Sequence, residues 1–104
     1  MIAVIFEVET KDGKFQDYFD RAMDLRPELE KIDGFISVER FESTATPGRY
    51  VSLSYWRDEE AVAKWRVHAK HIDAQQAGKS GIFKPYRIRV GEIVRDYGFP
   101  DEGS

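Results

Sequence analysis

The stretch YVSLSYWRDEEAVAKWRVHAKHIDAQQ, residues 50–76, changes its period in the middle. From Tyr50 to Trp56 the side chains alternate in twos. Val51, Leu53 and Tyr55 point one way, and Tyr50, Ser52, Ser54 and Trp56 point the other. That alternation, in β-branched and aromatic residues, reads as a strand. Beyond Asp58 the spacing becomes helical: Ala61, Val62, Trp65, His68, Ala69 and Ile72 fall on one stripe that faces the interior. Asp58 stands where a side-chain oxygen caps a helix, and Glu59 and Glu60 complement the positive end of its dipole. Gly78 is well placed as the left-handed residue that ends it. A strand running into a capped helix is therefore the central unit. It holds both tryptophans and both histidines of the chain.

Trp65 and His68 lie one turn apart on the stripe, with Gln75 two turns beyond His68. His71 sits about 120° round from Trp65 on a 3.6-residue helix, at the stripe's edge. An indole, two imidazoles and an amide on one helical side can line a pocket. Their structural alternative is a core tryptophan flanked by half-exposed histidines.

Working outward, residues 1–9 read as a strand with Ile2, Val4, Phe6 and Val8 on one side and Ala3, Ile5, Glu7 and Glu9 on the other. Both sides are apolar up to Phe6, which suits a strand covered on both faces. Glu7 is the odd residue, a carboxylate either on a covered face or at a strand end emerging into water. Lys11-Asp12-Gly13 forms a turn. An amphipathic helix then runs from about Gly13 to Ile32, with a kink or restart expected near Arg26 because Pro27 interrupts the ladder. Asp17, Asp20, Asp24 and Glu28 line another side of it. Carboxylates spread over three turns do not converge, so this row reads as a solvated face.

Asp33-Gly34 closes the helix, and residues 35–42 form a second strand. The turn chemistry of residues 43–48 joins it to the Tyr50 strand as an antiparallel hairpin. Residues 77–81 are a loop. Its Gly78-Lys79-Ser80 resembles the tail of a phosphate-binding loop, but Asp73 occupies the required upstream glycine position. The last strand is expected over residues 82–97, interrupted by Pro85, with Gly91 as a bulge and alternating arginines facing solvent. Residues 98–104 have the composition of a flexible tail.

The order strand, helix, strand, strand, helix, strand predicts an α+β fold: a ferredoxin-like βαββαβ sandwich with a four-stranded antiparallel sheet and both helices on one face. Residues 1–97 make up the single domain. Apolar residues on both faces of the strands leave one face to be hidden. A homodimer packing sheet on sheet, with the last strand reaching across, hides it.

Composition narrows the function. Hydrophobic and charged fractions of 41% and 34% are those of a soluble globular protein. A net charge of −3 argues against non-specific nucleic-acid binding. With no cysteine there are no disulfides or thiolate metal sites, and two histidines at i and i+3 lack a third metal ligand. The apolar start, residues 1–6, is short, lacks a basic leader and runs into Glu7 and Glu9, so it is neither signal peptide nor membrane span. A cytoplasmic location is expected.

The chain resembles the antibiotic biosynthesis monooxygenase family, dimeric α+β barrels, over nearly its whole length. The resemblance rests on the apolar first strand, on residues 34–41, on Ser54-Tyr55-Trp56-Arg57-Asp58-Glu59-Glu60-Ala61 with Trp65 and His71, and on Tyr86-Arg87-Ile88-Arg89-Val90. It implies oxygenation of a small aromatic or polyketide-like molecule without a tightly bound cofactor. His71 or His68 would be the base, Trp65 and Tyr55 the walls, Ser54 and Arg66 polar contacts. Glu7 and Gln75 join the candidate substrate-binding residues. The haem-degrading branch is the alternative and matches at Trp65. That branch uses an asparagine on the first strand, where this chain has Glu7, and a histidine ligand near Gln75. A shift of four residues along a helix moves a ligand by about 6 Å. A non-catalytic dimeric module binding a small ligand is the third reading.

Overall fold

A computed structural model of the chain describes residues 1–9, 20, 23, 26–76 and 86–100, with the backbone alone for 69–76. The elements follow in the order β1 (Ile2–Glu9), helical residues 26–30 (α1), β2 (Phe35–Glu42), β3 (Arg49–Trp56), α2 (Glu59–Gln76) and β4 (Arg87–Glu92). The strands form one sheet in the order β2-β3-β1-β4, every neighbouring pair antiparallel. Leu29 of α1 and Ala61 and Val62 of α2 share one buried cluster with Ile2, Val4, Val38 and Trp56, so both helices lie on the same face. This is the expected α+β ferredoxin-like fold. Among the described residues no helix is long and apolar enough to cross a membrane. The start of the first helix, the segment around Pro27 at residues 24 and 25, residues 77–85 and residues 101–104 lie outside the described residues.

Trp56 is fully buried at the point where the layers meet. Its indole Nε1 donates to Ser54 Oγ at 3.0 Å. It meets Phe35 edge-on, with centroids 5.3 Å apart, and stacks on Trp65 of α2 at 6.3 Å. The register pairs Ile2 with Trp56, Val4 with Ser54 and Phe6 with Ser52. The helix-covered face of β3 is therefore the one carrying Tyr50, Ser52, Ser54 and Trp56. Val51, Leu53 and Tyr55 point to the other face, beside Ala3, Ile5 and Glu7. The richer apolar set of β3 thus turns away from the helices.

Two expectations for the strands change. β4 is six residues long, not the whole of 82–97. Its ladder runs out with β1: Glu92 pairs with Ile2, and the last bond is Ile93 N–H to the Met1 carbonyl at 2.9 Å. Gly91 pairs in register with Ala3 and forms no bulge. The irregularity falls between Phe35 and Ser37, where Ile36 is the extra residue.

The turn after α1 is built on Gly34. Its φ of +97° is open to glycine at no steric cost, and a Cβ there would meet the Ala61 Cβ at 2.7 Å. The Gly34 carbonyl accepts the N–H of Arg57 at 2.7 Å. Arg57 also clamps both Asp33 oxygens, at 3.2 and 3.3 Å, and donates Nε–H to Asp58 at 3.1 Å. Asp58 Oδ1 in turn accepts the Ala61 N–H at 2.9 Å, which is the expected cap of α2. The hydrogen bonds from Arg57 hold the Asp33 carboxyl below its ordinary range. The Ala61 N–H and then Arg57 do the same for Asp58.

Gly34→Ala is expected to lower unfolding free energy by at least about 1 kcal/mol in urea titrations, through backbone strain and collision with Ala61. Because Asp33 and Asp58 titrate lower folded than unfolded, their contribution is present above the ordinary carboxylate range and lost as pH falls through the depressed values. Thermal melts should therefore drop on acidification, and Arg57→Ala should flatten that slope.

Candidate functional site

The cap at Asp58 and the burial of Ala61 and Val62 fix how α2 lies on the sheet. One turn on, Trp65 packs half-buried against the core cluster. The next turn brings His68, also half-buried, its ring 6.0 Å from that of Trp65. Trp56, Trp65 and His68 thus form a run of rings from the core outward. The Nε2 atom of His68 is sealed from solvent and has no hydrogen-bond partner among the described residues. It lies 3.3 Å from Oε2 of Glu28 on α1, in ion-pair range but off the line of a hydrogen bond. A half-exposed imidazole beside indole walls, with a carboxylate on one nitrogen, has the composition of a proton-transfer site.

Of the other residues singled out in the sequence, Ser54 is on this side of the sheet and buried, its oxygen engaged by the Trp56 indole. Arg66 is exposed on α2. The side chains of His71 and Gln75 lie outside the described residues. Glu7 and Tyr55 are not with Trp65. Both stand on the opposite face of the sheet, because each has the parity of Ile5 and Leu53 and not that of Trp56. Tyr55 is therefore no wall beside Trp65, and Glu7 does not share its layer.

Glu7 is held there by charge. Its Oε1 accepts from Arg89 of β4 at 2.9 Å, and its Oε2 accepts from Arg49 of β3 at 3.0 Å. The Arg89 hydrogen bond, then that from Arg49, lowers the Glu7 carboxyl against the opposing effect of burial. So the carboxylate neither sits unpaired on a covered face nor emerges freely into water, and Arg89 is not merely solvated. A cleft of about 270 Å³ opens at this end of the sheet, lined by Glu7, Val8, Glu9, Arg49, Tyr86 and Arg87. Among the described residues no group of three or more histidine, aspartate or glutamate side chains converges as a metal site.

Two features escaped the sequence reading. Glu28 belongs to the acidic row assigned to solvent, and only the crossing of α1 and α2 shows that it meets His68. The second is a half-uncovered apolar strip on the helix side. Ile88 pairs with Phe6 and Val90 with Val4, yet Ile88 and Val90 remain 50% and 45% exposed. Tyr86 closes one end of this strip against Phe6, with centroids 5.2 Å apart. The strip follows from β4 being an edge strand next to β1, a pairing that strand periodicity does not contain.

Comparison with known proteins agrees with this architecture. A jasmonate monooxygenase of Pyricularia oryzae is 45% identical to the chain over 94 residues, which are 90% of the chain and 44% of that protein. The chain thus spans less than half the length of this relative. Among solved structures, Rv0793 from Mycobacterium tuberculosis aligns with a TM-score of 0.76 at 16% identity, covering 93% of the chain and 98% of its own. The heme-degrader MhuD of the same organism, solved with two hemes in its active site, aligns at 0.72 and 21% identity, covering 94% and 100%. At these identities the two structures speak to the fold alone. The family model for antibiotic biosynthesis monooxygenase matches residues 1–77. By that match and the fungal relative's identity, this chain belongs to the antibiotic biosynthesis monooxygenase family.

Proposed function

We propose that the chain is a monooxygenase acting on a small, enolisable aromatic or polyketide-like molecule without a tightly bound cofactor, with His68 as proton acceptor. The observation that carries this reading is the run Trp56, Trp65, His68 on the helix side of the sheet, in a chain of a monooxygenase family. The half-exposed strip of Phe6, Ile88 and Val90 supports an apolar ligand on the same side. His68 would take a proton from an acidic carbon or phenol. The resulting anion passes one electron to dioxygen, and the radical pair combines at carbon. Loss of water from the peroxide leaves a carbonyl. For a CH₂ group the balance is R₂CH₂ + O₂ → R₂C=O + H₂O, with the substrate supplying the electrons and the base regaining its neutral form.

Haem degradation fits the described residues less well. Glu7, at the position where the haem-degrading branch has its asparagine, is paired with two arginines on the far face of the sheet. The Nε2 of His68 faces Glu28 and is closed to solvent, so it is not presented as an axial donor.

We infer also that the open face of the sheet meets a second copy of the chain. Ile5, Val51, Leu53 and Tyr55 are only partly buried there, and Phe41 is 46% exposed, an apolar surface that association would cover.

Oxygen uptake is to be followed with a panel of enolisable aromatic compounds together with jasmonate. His68→Ala is expected to lower kcat by about 100-fold or more. Unchanged turnover in His68→Ala would remove the base assignment, and a loss confined to His71→Ala would move it to His71. In sedimentation equilibrium the unaltered chain should be a dimer and Leu53→Glu a folded monomer. A monomeric unaltered chain would overturn the reading of the open face.

A further inference from the structure

We infer that Glu28 is the positioning residue of His68: it orients the imidazole with the proton on Nε2, so that Nδ1 is the atom that accepts a proton. The inference rests on the assignment of His68 as base for its catalytic half. Its structural half stands on geometry alone.

Nε2 of His68 is buried and has no hydrogen-bond partner among the described residues. Buried polar atoms in folded proteins almost always have partners, so this nitrogen needs an account. The carboxylate oxygen Oε2 of Glu28 is 3.3 Å away, on another helix. A small rotation of either side chain converts that approach into an aligned hydrogen bond. Two helices bring the groups together, so sequence-local pairing does not explain the contact.

The sign of the interaction selects the tautomer. A lone pair on Nε2 would face a negative oxygen and be repelled, whereas an N–H there is attracted. With the proton on Nε2, the acceptor lone pair is on Nδ1. When Nδ1 takes a proton the ring becomes a cation, and the same carboxylate stabilises it across a short distance. Among the described residues, the lysines nearest this pair are each engaged with a carboxylate. Lys31 lies 4.0 Å from the other Glu28 oxygen and steadies the carboxylate from its own helix. Lys64, one turn back on α2, is engaged with Glu60 at 3.8 Å. The ring also packs on Trp65, with centroids 6.0 Å apart.

The experiment combines nitrogen NMR of the labelled full chain with kinetics. In the unaltered protein the His68 Nε2–H proton should be visible as a slowly exchanging signal. It should vanish in Glu28→Ala and persist, weakened, in Glu28→Gln, whose amide oxygen still accepts. With the substrate that the unaltered chain turns over, Glu28→Ala should lower kcat at least tenfold at unchanged KM, with partial rescue by Glu28→Gln. Should Glu28→Ala fold poorly, the Glu28→Gln spectrum and kcat carry the test. An Nε2–H signal indifferent to Glu28, or one absent from the unaltered protein, overturns the pairing. A Glu28-dependent signal with full activity in His68→Ala upholds the pairing and removes the base reading instead.

Discussion

The fold depends on the burial of one indole. Trp56 closes β3, is fully enclosed, and joins the two layers: it touches Phe35 at the start of β2 within the sheet and Trp65 on α2 above it. An indole of this size contributes about 4–6 kcal/mol through the apolar surface it removes from water. Its one polar atom is satisfied by Ser54 two residues earlier, so the burial leaves no unpaired donor. Close by, Gly34 lets the turn after α1 press against Ala61 of α2, and Arg57 joins the ends of β3 and α1 to the cap of α2. The orientation of α2, and with it the positions of Trp65 and His68, follows from this corner.

The sheet has two unlike faces, and each has a consequence. On the helix side, Ser54 of β3 is buried and accepts the indole N–H of Trp56. On the other side, Ile5, Val51, Leu53 and Tyr55 share the face with the ion triplet of Glu7, Arg49 and Arg89. A carboxylate with an arginine on each oxygen ties β1 to both its neighbours in the sheet. It also places charge at one end of this face, with Glu39 of β2 opposite Leu53 on the same side, a feature that gives direction to any association there.

The family fold is shared with proteins as different in name as a jasmonate monooxygenase and a heme-degrader. Chemistry within such a family is decided by a few side chains on a common frame. In this chain those that lie together are Trp56, Trp65, His68 and Glu28, contributed by β3, α2 and α1. The proposed proton transfer rests on their arrangement. The sheet-face position of Glu7 separates it from that layer.

The sequence by itself determined the order of elements, the cap at Asp58, the closing turn at Gly34 and the inward stripe of α2 as far as His68. These are local matters: periodicity, side-chain hydrogen bonding to nearby backbone, and the conformational freedom of glycine act over a few residues. Tertiary structure alone decided which face of each strand the helices cover. Alternation separates Tyr55 from Trp56 but does not say which parity goes inside, and here the larger apolar set of β3 lies outside. It likewise decided the end of β4, which depends on the extent of β1, and the meeting of Glu28 with His68, which depends on the crossing of α1 and α2. Such contacts join residues far apart in the chain, so no segment carries them by itself and only the assembled layers bring them about.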